Sequence, residues 1–352
     1  MRTQLLAAAV ALVASAAPAL SADALTKGTV DAKSATALAF SPKGVLFIGD
    51  SAGAAVYAVD TGDTKPAGDK PVNFERIDQK LASLLGTTEK EIKINDVKVN
   101  PASGNVYVAV TRGTGQGQPA IVKVARGGEP AALNLKDVPM SKVAIPNPAS
   151  GKGATNSITS MAFLNDKLLV AGLSSEQFAS TLRTFDFPFK DADKGAAIEI
   201  YHGAHGALET RAPIRSFVPY KVGSEETVVA TYQCTPLVKI PVSELKAGNK
   251  VKGTTVAELG NRNMPLDMIV YTKGGEDYIL VSNTARGVMK IAAKQLAGAE
   301  AISTRIPGTA GVKYDTVEAL KGVTQLDKLD AGHAVLVVAN GDGFDLKTIE
   351  LP

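Results

Sequence analysis

The chain repeats one strand-turn-strand unit six times along its 352 residues, and this repetition limits the folds that it can adopt. In each unit, two runs that alternate apolar and polar residues flank a turn, and a third apolar run follows. The first unit begins at Ala37 and reads ALAFSPKGVLFIGD before its third run, AVYAVD. Equivalent apolar positions recur every 52 to 64 residues, at Phe40, Val99, Phe163, Val218, Val270 and Leu326. A period of this length indicates a ring of repeated small sheets.

Each unit predicts one four-stranded blade, so we expect a single all-β domain, a six-bladed β-propeller, over residues 25–352. Seven blades are the alternative within this fold, and a β-sandwich or a pair of small β domains is the alternative fold. The fourth, outer strand of a blade falls in the less regular segments, for example residues 72–77 and 197–201. Little helix is expected, with helical turns at residues 78–85 and 242–245.

The ring also needs a closing strand, because the last unit ends near Leu351 with only three strands. Residues 27–33 precede the first unit and belong to no other blade. We therefore expect this N-terminal segment to join the last blade as its fourth strand, which would remove an exposed sheet edge.

The first 24 residues indicate export. Met1 and Arg2 are followed by an apolar run from Leu5 to Val13 and then by small residues up to Ala24. This pattern is typical of a secretory signal peptide, and an apolar core of about 10 residues is too short for the ~20 that span a bilayer. We expect a protein without a membrane span that is periplasmic or secreted after cleavage of residues 1–24.

The charge pattern and the motifs exclude several partners. The 38 Lys and Arg residues and 35 Asp and Glu residues are spread along the whole chain, so no basic stripe predicts nucleic-acid binding. The sequence contains no Cys-X-X-Cys-His haem motif and no phosphate-binding loop of the Walker type. We expect neither haem nor nucleotide, and a small molecule or a protein partner at one face of the propeller.

In a propeller, the loop from an outer strand to the next inner strand and the loop between the second and third strands emerge on the same face. In this chain these loops hold most of the unusual polar residues. Guanidinium groups there favour a carboxylate or phosphate ligand, and Asn and Asp side chains would line a polar funnel. The alternative is that the arginines pair with neighbouring carboxylates, and that Asn and Asp only cap turns. The candidate ligand-binding residues are Arg211, Arg262, Arg286, Asn95, Asp96, Asn263, Asp267, Asn283 and Asn340.

The strongest local signal is a His-X-X-His loop that contains His202 and His205, two of the three histidines of the chain. Glu209 follows in the same loop, and Cys234, the only cysteine, is expected on the same face. Imidazole, carboxylate and thiolate are ligands that suit zinc or copper. The alternative is that both imidazoles bond to nearby backbone and that Cys234 is a small buried apolar residue. His333 is expected on the opposite face.

Residues 263–291, NMPLDMIVYTKGGEDYILVSNTARGVMKI, resemble a blade of the NHL and SMP-30/gluconolactonase group of six-bladed propellers. The resemblance implies a divalent cation, usually calcium, at one mouth of the central channel, together with lactonase activity. It places the calcium ligands at Asn95, Asp96, Asn156, and Asn263 or Asp267. The expected cofactor is therefore one divalent metal, either calcium in the channel or copper or zinc at the histidine loop.

These observations support two functions. The first is an exported propeller with a polar binding site at one channel mouth, which binds a small anionic ligand, a metal or a partner protein. The second is a metal-dependent enzyme, either a lactonase-like hydrolase with calcium or a redox enzyme with copper or zinc held by His and Cys. We favour the first, because no nucleophile or acid–base pair can be identified from the residues and no catalytic residue is assigned.

Overall fold

The structure is a computed structural model that describes residues 25–233 and 236–352. The predicted signal peptide and Cys234 lie outside the described residues. Within those ranges one α-helix, α1 (Ile77–Leu85), accompanies short 3₁₀ turns, and none of the described helices is long and apolar enough to cross a bilayer. The 3₁₀ turns are Glu89–Glu91, Gly151–Asn156, Val242–Glu244, Ala293–Leu296 and Glu318–Leu320.

The remaining elements are β-strands. In chain order they are β1 (Thr26–Gly28), β2 (Ala37–Phe40), β3 (Val45–Asp50), β4 (Ala55–Asp60), β5 (Ile92–Val99), β6 (Val106–Arg112), β7 (Gln118–Val124), β8 (Pro130–Ala132), β9 (Val138–Ala144), β10 (Ser160–Leu164), β11 (Lys167–Leu173), β12 (Ser180–Asp186), β13 (Ala196–His202), β14 (Ala207–Glu209), β15 (Ile214–Val222), β16 (Glu225–Tyr232), β17 (Pro236–Pro241), β18 (Lys250–Lys252), β19 (Thr254–Leu259), β20 (Pro265–Lys273), β21 (Glu276–Asn283), β22 (Gly287–Ala292), β23 (Thr309–Gly311), β24 (Asp315–Val317), β25 (Val323–Lys328), β26 (His333–Asn340) and β27 (Gly343–Glu350).

The strands pair into six sheets, which confirms the all-β, six-bladed propeller. We number the blades one to six by the chain order of their inner strands, which are β2, β5, β10, β15, β20 and β25. Blade three carries the extra strands β14 and β18 on its outer strand β13, and blade four carries β19 and β23 outside β17. The second strands of the blades are mostly buried on both faces, which is why they contain continuous apolar runs such as VYVAV in β6.

Six hydrophobic cores hold the ring together, and each core lies between two neighbouring blades. Val108 of blade two, for example, shares a core with Val337 of blade six, whereas Tyr107 on the opposite face of the same strand packs with Leu46 of blade one. Burying an aliphatic side chain of this size contributes about 1.5–3 kcal/mol. Period-two alternation along a strand therefore decides which neighbouring blade each residue stabilises.

The order of the blades around the ring differs from their order in the chain. Blade two lies between blades one and six, because the backbone N–H of Leu38 in blade one donates to Asp96 Oδ2 at 2.7 Å and that of Val99 in blade two donates to Asp327 Oδ2 at 2.6 Å. Blade one continues directly to blade three, where Ser51 Oγ donates to the carbonyl of Ile158 at 2.9 Å. The sequence repeat alone gave no indication of this arrangement.

The cause is that blade two is inserted inside blade one. The sheet of blade one has the order β1-β9-β4-β3-β2, and its fourth strand, β9, follows all the strands of blade two in the chain. The N-terminal strand β1 pairs with β9 at the edge of this sheet. The expectation that residues 27–33 close the ring on the last blade was therefore wrong.

Residues 72–74 close the ring instead. Phe74 and Leu346 exchange two backbone hydrogen bonds, of 2.8 and 2.9 Å, along the outer strand β27 of blade six. Residues 72–74 connect blade one to blade two in the chain. They pair with the outer edge of blade six and not, as was predicted, with blade one. The other outer strand and both helical turns are confirmed, since β13, α1 and the turn Val242–Glu244 cover the expected positions.

Four inner strands carry a β-bulge near the end at which they begin. The register of the first and second strands shifts by one residue in blades two, four, five and six, which leaves one residue of each inner strand unpaired. These residues are Asn95, Arg215, Leu266 and Thr324. Bulges redirect side chains. These four bulges therefore determine which polar groups lie near the channel mouth at which the inner strands begin.

Candidate metal site and the central channel

The histidine loop is a hairpin on the outer side of blade three. Strand β13 ends at His202, and β14 returns antiparallel so that His202 stands opposite Ala207. The turn between them uses Gly206 at φ +69°, a conformation that L residues rarely adopt, and a Cβ at this position would approach the side chain of Arg305 to 3.2 Å. The hairpin brings residues that are seven positions apart into contact.

Glu209 binds both imidazoles of this loop. Its Oε2 lies 2.9 Å from Nδ1 of His202, and its Oε1 is hydrogen-bonded to Nδ1 of His205. The planes of the two rings are inclined by 39°, and their centroids lie 3.9 Å apart. Nitrogen and oxygen atoms from all three residues lie within 4.8 Å of one another, and no other group of three His, Cys, Asp or Glu residues in the described ranges could hold a metal in this way. The loop thus forms the cluster that its sequence pattern predicts.

Burial differs across the cluster. His202 is 2 % exposed, whereas the side chain of His205 is 53 % exposed, so one side of the cluster faces solvent. Burial opposes ionisation of Glu209, but the hydrogen bonds and charges of the two imidazoles outweigh it and hold the pKa of this carboxyl below its usual range. Glu209 is therefore a carboxylate at neutral pH.

Glu258, which sequence reasoning missed, lies beside this cluster. It belongs to β19 of blade four, is 1 % exposed, and its Oε1 accepts a hydrogen bond from the backbone N–H of Gly203 at 2.6 Å. Burial raises the pKa of Glu258, although the imidazole of His202 and the N–H groups of Gly203 and Ala204 oppose the rise. An acidic residue within the buried run TTVAEL was the signal that could have identified it.

Nε2 of His202 and Oε2 of Glu258 are both buried and have no hydrogen-bond partner among the described residues. A buried polar atom without a partner costs about 1–3 kcal/mol. Gly203 permits the close approach of Glu258, because a Cβ there would stand only 3.0 Å from Oε1. The predicted fourth ligand, Cys234, lies outside the described residues. His333, by contrast, forms an exposed pair with Asp330 at 2.8 Å at the start of β26.

The central channel contains a half-buried ammonium group, that of Lys98, surrounded by carboxylates. Lys98 Nζ lies 3.2 Å from Asp96 and 3.3 Å from Asp267. Lys98, Asp267 and Asp327 line a cavity of about 400 Å³. Burial raises the pKa of Asp267 to about 7 and raises that of Asp327 as well, against the opposing charge of Lys98. Each of the three carboxylates also accepts a backbone N–H from the neighbouring blade, so they connect blades.

The predicted asparagines near the channel mouth bind other protein groups. Asn263 Nδ2 donates to Asn283 Oδ1 at 3.0 Å, so the structure brings these two residues together. Asn95 Nδ2 donates to the carbonyl of Ala35 and to Thr111, and Asn340 Nδ2 donates to Asp345 at 3.0 Å.

Arg211, Arg262 and Arg286 are exposed, and no ion pair within the described ranges includes them. Arg286 lines a separate cavity of about 310 Å³ together with Lys321. A different arginine, Arg215, stands at the bulge of β15 and donates to Asn156 Oδ1 at 3.3 Å.

The six sheets and the cluster of His202, His205 and Glu209 define the class of the protein. It is a six-bladed β-propeller with a candidate metal site at the junction of blades three and four. No protein-family model and no curated protein sequence matches the chain. The resemblance to the NHL and SMP-30 group is therefore not confirmed.

Solved structures that are similar over most of the chain include the following three. One, described as the mitotic checkpoint complex, is 11 % identical with a TM-score of 0.41 and covers 99 % of both chains. The β-propeller domain of Swd1 from Myceliophteria thermophila is 12 % identical with a TM-score of 0.39, covering 90 % of this chain and 84 % of that one. The PQQ-bound aldose sugar dehydrogenase of Streptomyces coelicolor is 13 % identical with a TM-score of 0.35, covering 92 % and 96 %. At this level of similarity none of them bears on activity.

Proposed function

We propose that the chain is an exported, metal-binding β-propeller that holds a divalent transition metal at the loop of His202 and His205. Export is supported by the sequence pattern of residues 1–24. The observation that carries the metal proposal is the buried Nε2 of His202, which has no partner among the described residues and belongs to a ring whose centroid lies 3.9 Å from that of a second imidazole. Imidazole nitrogen with carboxylate oxygen is a ligand set that suits zinc and copper.

Elemental analysis of the mature protein, purified from periplasm without an affinity tag, tests this function. We expect about one equivalent of zinc or copper in the wild type and none in His205→Ala. His205 is the better position to change, because it is half-exposed and its loss should leave the fold intact. The matched control is His333→Ala, which also removes a histidine from a carboxylate pair but leaves the site unaltered. A wild type without zinc or copper after incubation with either metal would overturn the proposal.

A second candidate function, a metal-dependent enzyme, is supported by the exposure of His205. A metal bound there would face solvent and keep a coordination position free for water or substrate, as in catalytic rather than structural zinc sites. Zinc-loaded protein should then hydrolyse an activated ester faster than His205→Ala does. Equal rates for the two proteins would leave only the binding function.

A further inference from the structure

Arg215 is a cation at the channel mouth that lacks a counter-charge. It stands at the β-bulge of β15, where the inner strand of blade four begins, and its side chain is partly buried. Within the described ranges no ion pair includes Arg215, and burial alone lowers its pKa. Withdrawing a charge from water is unfavourable unless an opposite charge and hydrogen bonds compensate for the lost hydration. An anion bound at this position would therefore stabilise the guanidinium.

The guanidinium of Arg215 has one occupied edge and one free edge. Its Nη1 donates to Oδ1 of Asn156, the last residue of the 3₁₀ turn before β10, at 3.3 Å. Its Nε is buried without a partner among the described residues, and its Nη2 makes no hydrogen bond to any of them. Nε–H and Nη2–H point the same way along one edge, a geometry that binds two oxygens of a carboxylate or a phosphate. The free edge of Arg215 is thus a bidentate donor.

The backbone around Arg215 holds the guanidinium in place. Ile214 and Ser216, on either side of the bulge, are buried, whereas Arg215 has no partner in the register of β15 and β16. Thr159 Oγ1 of blade three donates to the carbonyl of Ile214 at 2.6 Å, which ties the start of β15 to the neighbouring blade. Bulges redirect side chains and are frequent beside binding sites. The guanidinium is therefore presented by a fixed strand and not by a free loop.

This arrangement opposes the calcium site that the family resemblance implies. Asn156 is one of the expected calcium ligands, but its Oδ1 accepts the hydrogen bond from Arg215. A guanidinium 3.3 Å from that oxygen repels a dication. The Nδ2 of Asn156 makes no hydrogen bond to a described residue, so it is a further donor beside the guanidinium. This part of the mouth offers positive charge and N–H groups, which suit an anion.

We propose that Arg215 is the recognition residue of an anion site between blades three and four, which binds a small carboxylate or phosphate through Nε and Nη2, with Asn156 Nδ2 as a further donor. The inference does not depend on the proposed metal, because it uses none of the residues of the histidine loop. It also changes which arginine carries anion recognition, since the sequence predicts this role for Arg211, Arg262 and Arg286, all of which are exposed.

Nuclear magnetic resonance of the arginine Nε–H groups tests this site, because it reports directly on the free edge. Succinate and inorganic phosphate are titrated separately at constant ionic strength, with sodium chloride as the background. The Arg215 resonance is identified by its absence from Arg215→Lys. We expect it to move saturably with at least one probe, and the tighter probe shows whether carboxylate or phosphate is preferred. The Arg211 resonance, from an exposed arginine of the same face, is the matched internal control and should not move.

Affinity measurements on variants complete the test. By isothermal titration calorimetry, Arg215→Gln should bind the preferred probe at least about 10-fold more weakly than the wild type, because charge-assisted hydrogen bonds are lost. Arg215→Lys, which keeps the charge without the fork, should lose less, and it replaces Arg215→Gln if that variant does not fold. Arg211→Gln should bind like the wild type.

Three results would overturn the proposal. The first is an Arg215 resonance that responds to neither probe, and the second is equal affinity in the wild type and Arg215→Gln. The third is saturable calcium binding that Asn156→Ala abolishes. His205→Ala separates this site from the proposed metal, since it should bind the anion as the wild type does. Loss of anion binding in that variant would place the anion on the metal and would also overturn the assignment to Arg215.

Discussion

Asp327 of blade six accepts a hydrogen bond from the backbone N–H of Val99 of blade two at 2.6 Å, although 228 residues separate them in the chain. The contact belongs to a series in which Asp96 binds Leu38 and Asp267 binds Leu326, each across a blade boundary. Inner-strand carboxylates therefore connect blades one, two, six and five in the order of the ring.

The Asp327 contact should stabilise the junction between the second and sixth blades. In Asp327→Ala the buried N–H of Val99 loses its acceptor, and we expect the free energy of unfolding to fall by about 1–3 kcal/mol. Urea denaturation at neutral pH measures this change. Asp342→Ala, which removes an exposed acid from the same blade, is the control and should leave the stability unchanged. Identical losses in the two variants would mean that the contact contributes nothing.

Ring closure by residues 72–74 can be tested with proline. Phe74→Pro removes the N–H that donates to Leu346, and Phe74→Ala removes the same aromatic ring but keeps that N–H. We expect the proline variant to unfold about 1–3 kcal/mol more easily than the alanine variant in urea. Lys27→Pro, in the short edge strand β1, should cost no more than about 0.5 kcal/mol. The reverse order would contradict ring closure by residues 72–74.

The raised pKa of Asp267 predicts a pH dependence of stability. Burial raises this pKa to about 7, against about 3.9 for an unfolded chain. Between these values the folded state binds more protons at this position than the unfolded state, so its contribution to stability falls as the pH rises. Asp267→Asn removes that contribution. Its stability relative to the wild type should therefore increase by roughly 1–3 kcal/mol from pH 4.5 to pH 7.5. Urea titrations across this range measure it, and a constant difference would contradict the assignment.

Arg183 is a buried charge whose removal should be tolerated. Its side chain is fully buried, burial lowers its pKa to about 10, and Nε and Nη1 have no partner among the described residues. Nη2 reaches only the carbonyls of Pro146 and Leu173, both at 3.4 Å. Arg183→Met fills a similar volume without the desolvation cost, so we expect equal or higher stability, by up to about 2 kcal/mol. Arg183→Ala leaves a cavity and should lose about 2 kcal/mol or more. Thermal melting distinguishes these outcomes; a strong loss in the methionine variant would indicate a bound counter-ion.

The number and the type of blades were predictable because each blade is built from local information. Short apolar runs such as VLFIGD and AVYAVD mark strands, and the turns between them lie within a few residues. The contact of His202, His205 and Glu209 was predictable for the same reason, since one short hairpin brings them together. Glu258 could not be placed at that site by spacing, because it lies 55 residues from Gly203 and in another blade.

The sequence by itself determined that this chain forms six small sheets and that two histidines and a carboxylate meet in one loop, since short-range pairing and period-two burial require only neighbouring residues. Only the tertiary structure decided the order of the blades, the closing segment at Phe74 and the approach of Glu258 to the histidine loop. The physical reason is that an apolar strand face indicates burial but does not identify the neighbouring sheet that packs against it. Any blade offers a similar apolar surface, and specific long-range hydrogen bonds such as that of Asp327 to Val99 select the neighbour.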